Sequence, residues 1–564
     1  MKKRILALVL TVLLLAGISV VSTSAATSYN LWVGGVKVTK QNAMDVLGDG
    51  KVRFDYEHNI LTLVNADIKG AVLSDDYLSA GIYAGDMDLT IMFRGTNTVT
   101  DAGGCPWSVG IGVVGGDLTI HHFYDDESAS LTVKSGYADE YSVGLYSFVN
   151  IEDTQTGGDL YIKGGNITVG YEGDKLSSAH GIGVLTFDMD VNTGSNLHIT
   201  GAPTEKGYSY GLNACGDINV MGNSTRLTSK GSQGVESHGI YSIEQWYEFD
   251  GEAYFSKEGN LNISHGAKVY AEGDEADVFS VGVNLQGGIN CADTAGSLTA
   301  IGGDTKYTVS GEDSDEYSSS YGINTFGNLV FAGGIVNATA GYGYDSCGIN
   351  ALTETEYTDE TEESYIALKG DVTVSGAKVT AASNGGYVYS DGMYVGGDLL
   401  VTGGSFTASG GVADAQDTEL QTESNGIFAN NSVSITGGTV TLSCKEVTNG
   451  SMTSCAIFSY EPVVISEELT VQGAKTEFLE GDTLIVPGSF DAPVVISKVY
   501  DFLIGDVNED GDVNIKDATA IQKHLAEIEF LSDDSLVIAD FNQDEDVSIK
   551  DATAIQKYLA GLPY

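Results

Sequence analysis

The feature that most limits what this chain can fold into is a short element that returns twelve times. A polar or small residue precedes glycine, and an aliphatic side chain follows it. The element reads Gly81-Ile82, Gly110-Ile111, Gly144-Leu145, Gly181-Ile182, Gly211-Leu212 and Gly239-Ile240. It continues as Gly282-Val283, Gly322-Ile323, Gly348-Ile349, Gly392-Met393 and Gly426-Ile427, with Ala456-Ile457 as a degenerate last copy. Spacings run from 26 to 44 residues. A fixed unit separated by insertions of variable length is the mark of a repeat architecture.

Two more elements fill the intervals. One is Asp or Asn followed by aliphatic-x-aliphatic, as in Asp117-Leu118-Thr119-Ile120, Asp159-Leu160-Tyr161-Ile162, Asp217-Ile218-Asn219-Val220 and Asn260-Leu261-Asn262-Ile263. Asp371-Val372-Thr373-Val374 and Asp398-Leu399-Leu400-Val401 repeat it. The other is Gly-x-aliphatic-x-aliphatic, as in Gly165 to Val169 and Gly438 to Leu442. Three short alternating strands per unit fit one rung of a parallel β-helix, with every second side chain inside the coil. The repeat glycines are expected where the chain turns sharply between faces. Acidic, Tyr/Ser-rich inserts at Glu312 to Ser320 and Glu354 to Ser364 read as loops leaving the corners. About twelve rungs at roughly 4.8 Å each would make a rod near 55 Å long. A β-sandwich array is the competing arrangement. The expected fold class is therefore mainly β: a right-handed parallel β-helix over 27–495, whose stretch 27–75 caps the first rungs. A short linker at 496–504 and a small all-α module at 505–564 complete the chain.

The first 26 residues stand apart. Lys2, Lys3 and Arg4 precede an apolar run from Ile5 to Val21, and Ser24, Ala25 and Ala26 supply a small-residue cleavage site. This is a secretory signal rather than a membrane anchor. The net charge is −51, and −54 without the three cations of that leader. Such a field repels nucleic acid and anionic membranes, and acidic polysaccharides unless calcium bridges them. Neither nucleic acid nor a membrane is therefore an expected partner. Cys105, Cys215, Cys291, Cys347, Cys444 and Cys455 lie too far apart for a small disulfide scaffold, although Cys444 and Cys455 are close enough in sequence to pair.

The most specific chemistry is at the end. Residues 506 to 517 place carboxylates or amides at positions 1, 3, 5, 9 and 12 of a twelve-residue loop, with Gly511 at position 6. Calcium takes six to eight oxygens, and alternate residues of a tight loop deliver them. The expected ligands are Asp506, Asn508, Asp510, Asp512 through its carbonyl, Asn514 and Asp517. The register returns 34 residues later as Asp540, Asn542, Asp544, Asp546, Ser548 and Asp551. Glu545 replaces the glycine there, so the second calcium site is expected to be the weaker. Residues 512–526 and 546–560 agree at 13 of 15 positions. A helix should follow each loop, with Ala518, Ile521, Leu525 and Ile528 on one apolar face, and Ala552, Ile555, Leu559 and Leu562 on the other. No helix is expected before either loop.

Asp at position 12, with only an exiting helix, resembles the type I dockerin over about Gly505 to Leu562. The resemblance implies two calcium ions and docking onto the cohesin module of a scaffoldin, as in a secreted cellulosome-type complex. It implies cohesin contacts at Ile515, Lys516, Gln522 and Lys523, and identically at Ile549, Lys550, Gln556 and Lys557, which would permit two binding orientations. The opening stretch, with Leu31 to Gly35 and Val52 to Ile68, resembles secreted clostridial β-helix proteins of the carbohydrate-binding kind. That implies plant cell-wall polysaccharide as the ligand and says nothing of catalysis.

A β-helix can also carry a polysaccharide lyase or a glycoside hydrolase. The mature chain has only Arg53, Arg94 and Arg226 for a lyase base, and Asp125-Asp126 has no Arg-x-Lys to join it. His180-Gly181 and His238-Gly239 read as the repeat itself. No catalytic residue is assigned. An aromatic stripe using Tyr side chains or Trp32, Trp107 and Trp246 would favour binding, a groove of converging carboxylates would favour catalysis, and neither would leave a structural spacer or adhesin.

Overall fold

In the computed structural model, residues 28–562 are described except 75–76, 149–157, 174–175, 177–179, 243–246, 250–251, 255–258, 307–317, 358–364, 369, 416–421, 448–453, 480–481, 499–503, 509, 543–545 and 561. The expected signal segment, and 312–317 and 358–364 of the two acidic inserts, lie outside these. Two compact units divide between Ser497 and Lys498.

The larger unit is mainly β, built from three sheets that the chain visits in turn. Alternating apolar side chains drive this: Leu118–His122 buries Leu118 and Ile120, and Ser130–Ser135 buries Leu131 and Val133. The Gly-aliphatic element forms the first sheet, from Leu78–Gly85 and Gly103–Val114 to Glu423–Ala429 and Cys455–Ser459. The Asp-aliphatic element forms the second, and the Gly-x-aliphatic element the third. Neighbouring rungs pair in parallel, as in Leu118↔Leu160, Ile120↔Ile162 and Leu131↔Ile167. Their inward side chains make one continuous core from Leu31 to Ile496, with Phe93, Phe331 and Phe406 among its largest fully buried members.

Both ends are closed by antiparallel strands. Ser28–Val33 pairs antiparallel with Leu78–Gly85, while Ile60–Val64 forms a hairpin with Val52–Asp55 and lies parallel to Leu89–Arg94. At the other end Asp482–Pro487 runs antiparallel to Cys455–Ser459, and Val494–Lys498 antiparallel to Thr439–Ser443. Such strands blunt the unpaired edges of an open stack. The last of them carries the sheet three residues past 495, into the expected linker.

The register corrects two readings of the glycine repeat. The ladder aligns Leu145 with Val184 and Val184 with Leu212, so the fourth copy is Gly183-Val184, not Gly181-Ile182. Nor do these glycines sit at turns. They lie inside the first-sheet strands, where a Cβ on Gly110, Gly144, Gly282 or Gly322 would fall 2.6–2.7 Å from the carbonyl oxygen of the next rung's glycine. Close rung-to-rung approach, not a left-handed backbone, excludes every other residue.

Two ladders occupy the corners. Ser280, Ser320 and Ser390, two residues before the glycine, are fully buried and accept the amides of Gly303, Gly341 and Gly411 at 2.7–3.0 Å. They fasten each rung to the turn beneath it. The Asp of the second element accepts the amide of the equivalent residue one rung on: Asp117 to Asp88, Asp217 to Asp188 and Asp398 to Asp371, at 2.7–2.9 Å. Part of the acidity is thus structural.

The inserts differ from plain loops. Glu354–Tyr357 and Tyr365–Leu368 form an antiparallel hairpin, and Ser319 and Ser320 belong to a first-sheet strand. Cys444 and Cys455 are buried thiols and form no disulfide.

Among the described residues the smaller unit holds three helices: α1 (Ile515–Leu525), α2 (Asp533–Ala539) and α3 (Ile549–Leu559). Ala518 and Ile521 of α1 pack with Ala552 and Ile555 of α3, over Val507 and Phe541. Only the first half of each expected apolar face is buried. Leu525 and Leu559 are about two-fifths exposed, at 40% and 43%, because α1 and α3 meet through their N-terminal turns. The helix α2, capped by Ser532, precedes the second loop, contrary to the expectation of exiting helices alone.

Candidate functional site

The first acidic loop of the smaller unit curls around its own carboxylates. Asp506, nearly buried, accepts the amides of Asp510 and Gly511 at 2.9 and 2.7 Å. Gly511 has φ +94°, a conformation open to glycine and strained for other residues. Asp517, fully buried, spans the loop by accepting the amides of Asn508 at 3.0 Å and Asn514 at 2.8 Å. Asp551 does the same for Asn542 at 3.1 Å and Ser548 at 2.8 Å. Asn514 and Ser548 are the N-caps of α1 and α3, in capping boxes closed by Asp517 and Asp551. That shared role explains why Asn and Ser interchange between the two copies.

The donor set is oxygen only, which suits a hard divalent cation. Among the described residues no group of three or more His, Cys, Asp or Glu side chains converges tightly enough to hold a metal. Asp510 instead pairs with Lys516 at 2.9 Å, and this ammonium holds its carboxyl below the usual range. Asp540 and Asp546 belong to the second loop, whose Asp544 and Glu545 lie outside the described residues. Ile515, Lys516, Gln522, Lys523, Ile549, Lys550, Gln556 and Lys557 are all exposed, and Ile515 and Ile549 reach 57%.

The first sheet carries a second feature on its outer surface. The column four residues before the aliphatic position aligns Trp107 with Tyr141 and Tyr141 with His180. It goes on through Tyr208, Glu236, Phe279, Ser319, Asp345 and Tyr389 to Glu423. Its rings touch in series: Trp107–Tyr141 at 4.4 Å, Tyr141–His180 at 4.8 Å and His180–Tyr208 at 5.1 Å between centroids. At the far end a cavity of about 510 Å³ opens, lined by Phe279, Phe326, Tyr389, Tyr394 and Phe428 and by three carboxyls, Asp345, Asp391 and Glu423. Burial pushes Asp345 up to about 6 and raises Asp391 and Glu423, and the charge of Glu423 adds to the rise at Asp391. Sequence reasoning did not find this cavity, because insert length hides which residues share a column.

The other candidates are structural. His238 is fully buried, contacts Glu236 at 3.2 Å and lies 3.4 Å from the amide of Asn284. His180 is one member of the ring column. Asp125 pairs with Arg94, and Asp126 accepts the Gly95 amide at 2.8 Å. Trp32 lies beneath Lys37, and Trp246 is outside the described residues. Among the described residues, no helix is long and apolar enough to cross a membrane.

No curated protein and no solved structure matches this chain. Residues 504–560 match the dockerin type I domain family, whose members bind calcium and dock onto cohesins. The chain thus carries a type I dockerin domain at its C-terminal end.

Proposed function

We propose that this protein is a secreted, cellulosome-type component. Its dockerin, loaded with two calcium ions, plugs into a scaffoldin cohesin through Ile515, Lys516, Gln522 and Lys523 or their counterparts in the second copy. The strand-rich unit is its payload, a right-handed parallel β-helix that binds plant cell-wall polysaccharide. Parallel crossovers are right-handed in nearly all folds, which supports that hand. The single observation that carries the reading is the type I dockerin at 504–560. The aromatic column from Trp107 to Tyr208 supports the payload's role, because rings stack on the apolar faces of sugars.

The test uses the protein without its leader. Capture by an immobilised cohesin should need calcium and fail with chelator. Pull-down by insoluble plant polysaccharides should survive chelation. Capture that ignores calcium would overturn the docking reading, and failure on every polysaccharide would overturn the payload reading.

The three carboxyls at one cavity favour glycoside hydrolysis as a second reading over a lyase, since among the described residues no Lys, Arg or His lines it. A raised carboxylic acid beside a carboxylate is the pair such hydrolysis uses. Release of new reducing ends from polysaccharide would establish it.

A further inference from the structure

We propose that the cavity at Asp345, Asp391 and Glu423 is the binding site of an uncharged glycan, which lies along the ring column of the first sheet. The inference rests on the payload reading above and adds the place and the substrate class.

The cavity is rich in acceptors that lack donors. Asp391 is only 6% exposed, and one of its oxygens accepts both the amide and the side-chain amide of Asn425 at 3.0 Å. Its other oxygen has no hydrogen-bond partner among the described residues. A ladder of buried amides ends at the same place. Asn324 donates to Asn284 and Asn350 donates to Asn324, each at 2.9 Å, and no described group donates to the Asn350 oxygen. Asp391 and Asn350 both line the cavity, where a ligand bearing hydroxyl groups can donate to these oxygens.

The charge pattern selects among such ligands. Among the described residues no Lys, Arg or His lines the cavity, so a uronate or other anion finds no counter-charge there. Burial also holds all three toward their neutral forms, which weakens the pull on a cation. A donor-rich, uncharged molecule remains. The partly exposed Phe279 offers an apolar wall, while Phe428, stacked between Tyr394 at 5.6 Å and Phe458 at 4.9 Å, adds apolar bulk beside it. Pyranose rings have matching C–H faces. The column that leads in repeats at the rung spacing of roughly 4.8 Å, a step on the scale of one sugar unit. A polymer parallel to the stack of rungs would meet rings from Trp107 to Tyr208 and then Glu236 before reaching Phe279 at the cavity.

The test is calorimetric titration of the leaderless protein with cello-, xylo- and manno-oligosaccharides, oligogalacturonate and chitosan oligomers. At least one neutral series should bind. Asp391→Asn keeps the acceptor that Asn425 uses and should weaken binding about tenfold or more. Phe428→Ala, which leaves the interior core intact, should do likewise and keeps the test alive if the first variant does not fold. Neutral binding unchanged in both variants, or binding only of the charged oligomers, overturns this site while leaving a carbohydrate-binding payload standing. Binding of no glycan at all overturns the payload reading itself.

Discussion

Tyr321 donates its phenolic hydrogen to Asp345 at 2.6 Å, on the wall of a cavity where three carboxyls meet. The bond lowers the carboxyl's pKa, but burial outweighs it and pushes Asp345 up to about 6 from 3.8. The folded chain therefore keeps a proton that the unfolded chain releases between about pH 4 and pH 6. Fewer protons are bound in the unfolded state across that window, so stability falls as pH rises through it and levels off above. The loss assigned to Asp345 is at most on the order of 3 kcal/mol. Thermal melts of the strand-rich unit from pH 3.5 to 7.5 should show that slope. Asp345→Asn should remove part of it, with Asp391 and Glu423 supplying the remainder. A melting curve indifferent to pH in this range would contradict the burial of these carboxyls.

The glycine column predicts a sharp asymmetry. A Cβ at Gly322 would sit 2.6 Å from the Gly348 oxygen and 2.5 Å from the Thr339 nitrogen, both backbone atoms that cannot swing aside. Gly322→Ala should cost about 3 kcal/mol or more, read as a lowered midpoint in urea. The last copy already carries Ala456, because the strand above it is the antiparallel Asp482–Pro487 rather than another rung. Ala456→Gly should therefore change stability by less than about 1 kcal/mol.

The aspartate ladder separates charge from hydrogen bonding. Asp188 accepts the Asp217 amide at 2.7 Å, and Asp188→Ala would strand that donor at a cost of about 1.5–3 kcal/mol. Asp371→Asn should be nearly neutral in equilibrium unfolding. Asn328 already fills the equivalent place one rung earlier and accepts the Asp371 amide at 3.2 Å.

Much of this was readable in the residues themselves. Two-residue alternation in segments such as Leu118-Thr119-Ile120 dictates strands, and three such segments per repeat dictate three sheets. The dockerin loop was readable because a cation fixes both residue type and spacing. What escaped did so for physical reasons. Gly181 and Gly183 are both followed by aliphatic residues, and only pairing with Leu145 and Leu212 decides which belongs to the column. The role of the serine two residues before the glycine was hidden because receiving an amide from the turn is a contact between distant residues. The helix α2 was missed because its seven residues are too few to show a period. The cavity needed the column register, which inserts of differing length erase from the sequence.

Calcium and folding should be linked in the dockerin but not in the payload. Asp506 and Asp517 hold the first loop closed through backbone amides, and without a cation their charges are left to repel across it. Chelator should lower the melting point of the dockerin transition and leave the strand-rich transition in place. Asp506→Ala with Asp540→Ala should mimic chelation, giving a dockerin that added calcium no longer stabilises. Cohesin binding by that double variant with chelator present would refute calcium-dependent docking.

The duplicated surface makes the final prediction. Ile515, Lys516, Gln522 and Lys523 on α1 recur at Ile549, Lys550, Gln556 and Lys557 on α3, and all eight are exposed. If either helix can lead, Lys516→Ala with Lys523→Ala leaves the second face whole, and affinity should fall by only about twofold, the statistical loss of one of two modes. The same change at Lys550 and Lys557 should behave alike. All four together should reduce affinity far more than the product of the pairs, by tenfold or greater, because no intact face remains. Surface plasmon resonance on an immobilised cohesin reads this directly. A large loss from one pair alone would assign docking to a single helix and reduce the other copy to a calcium-bound scaffold.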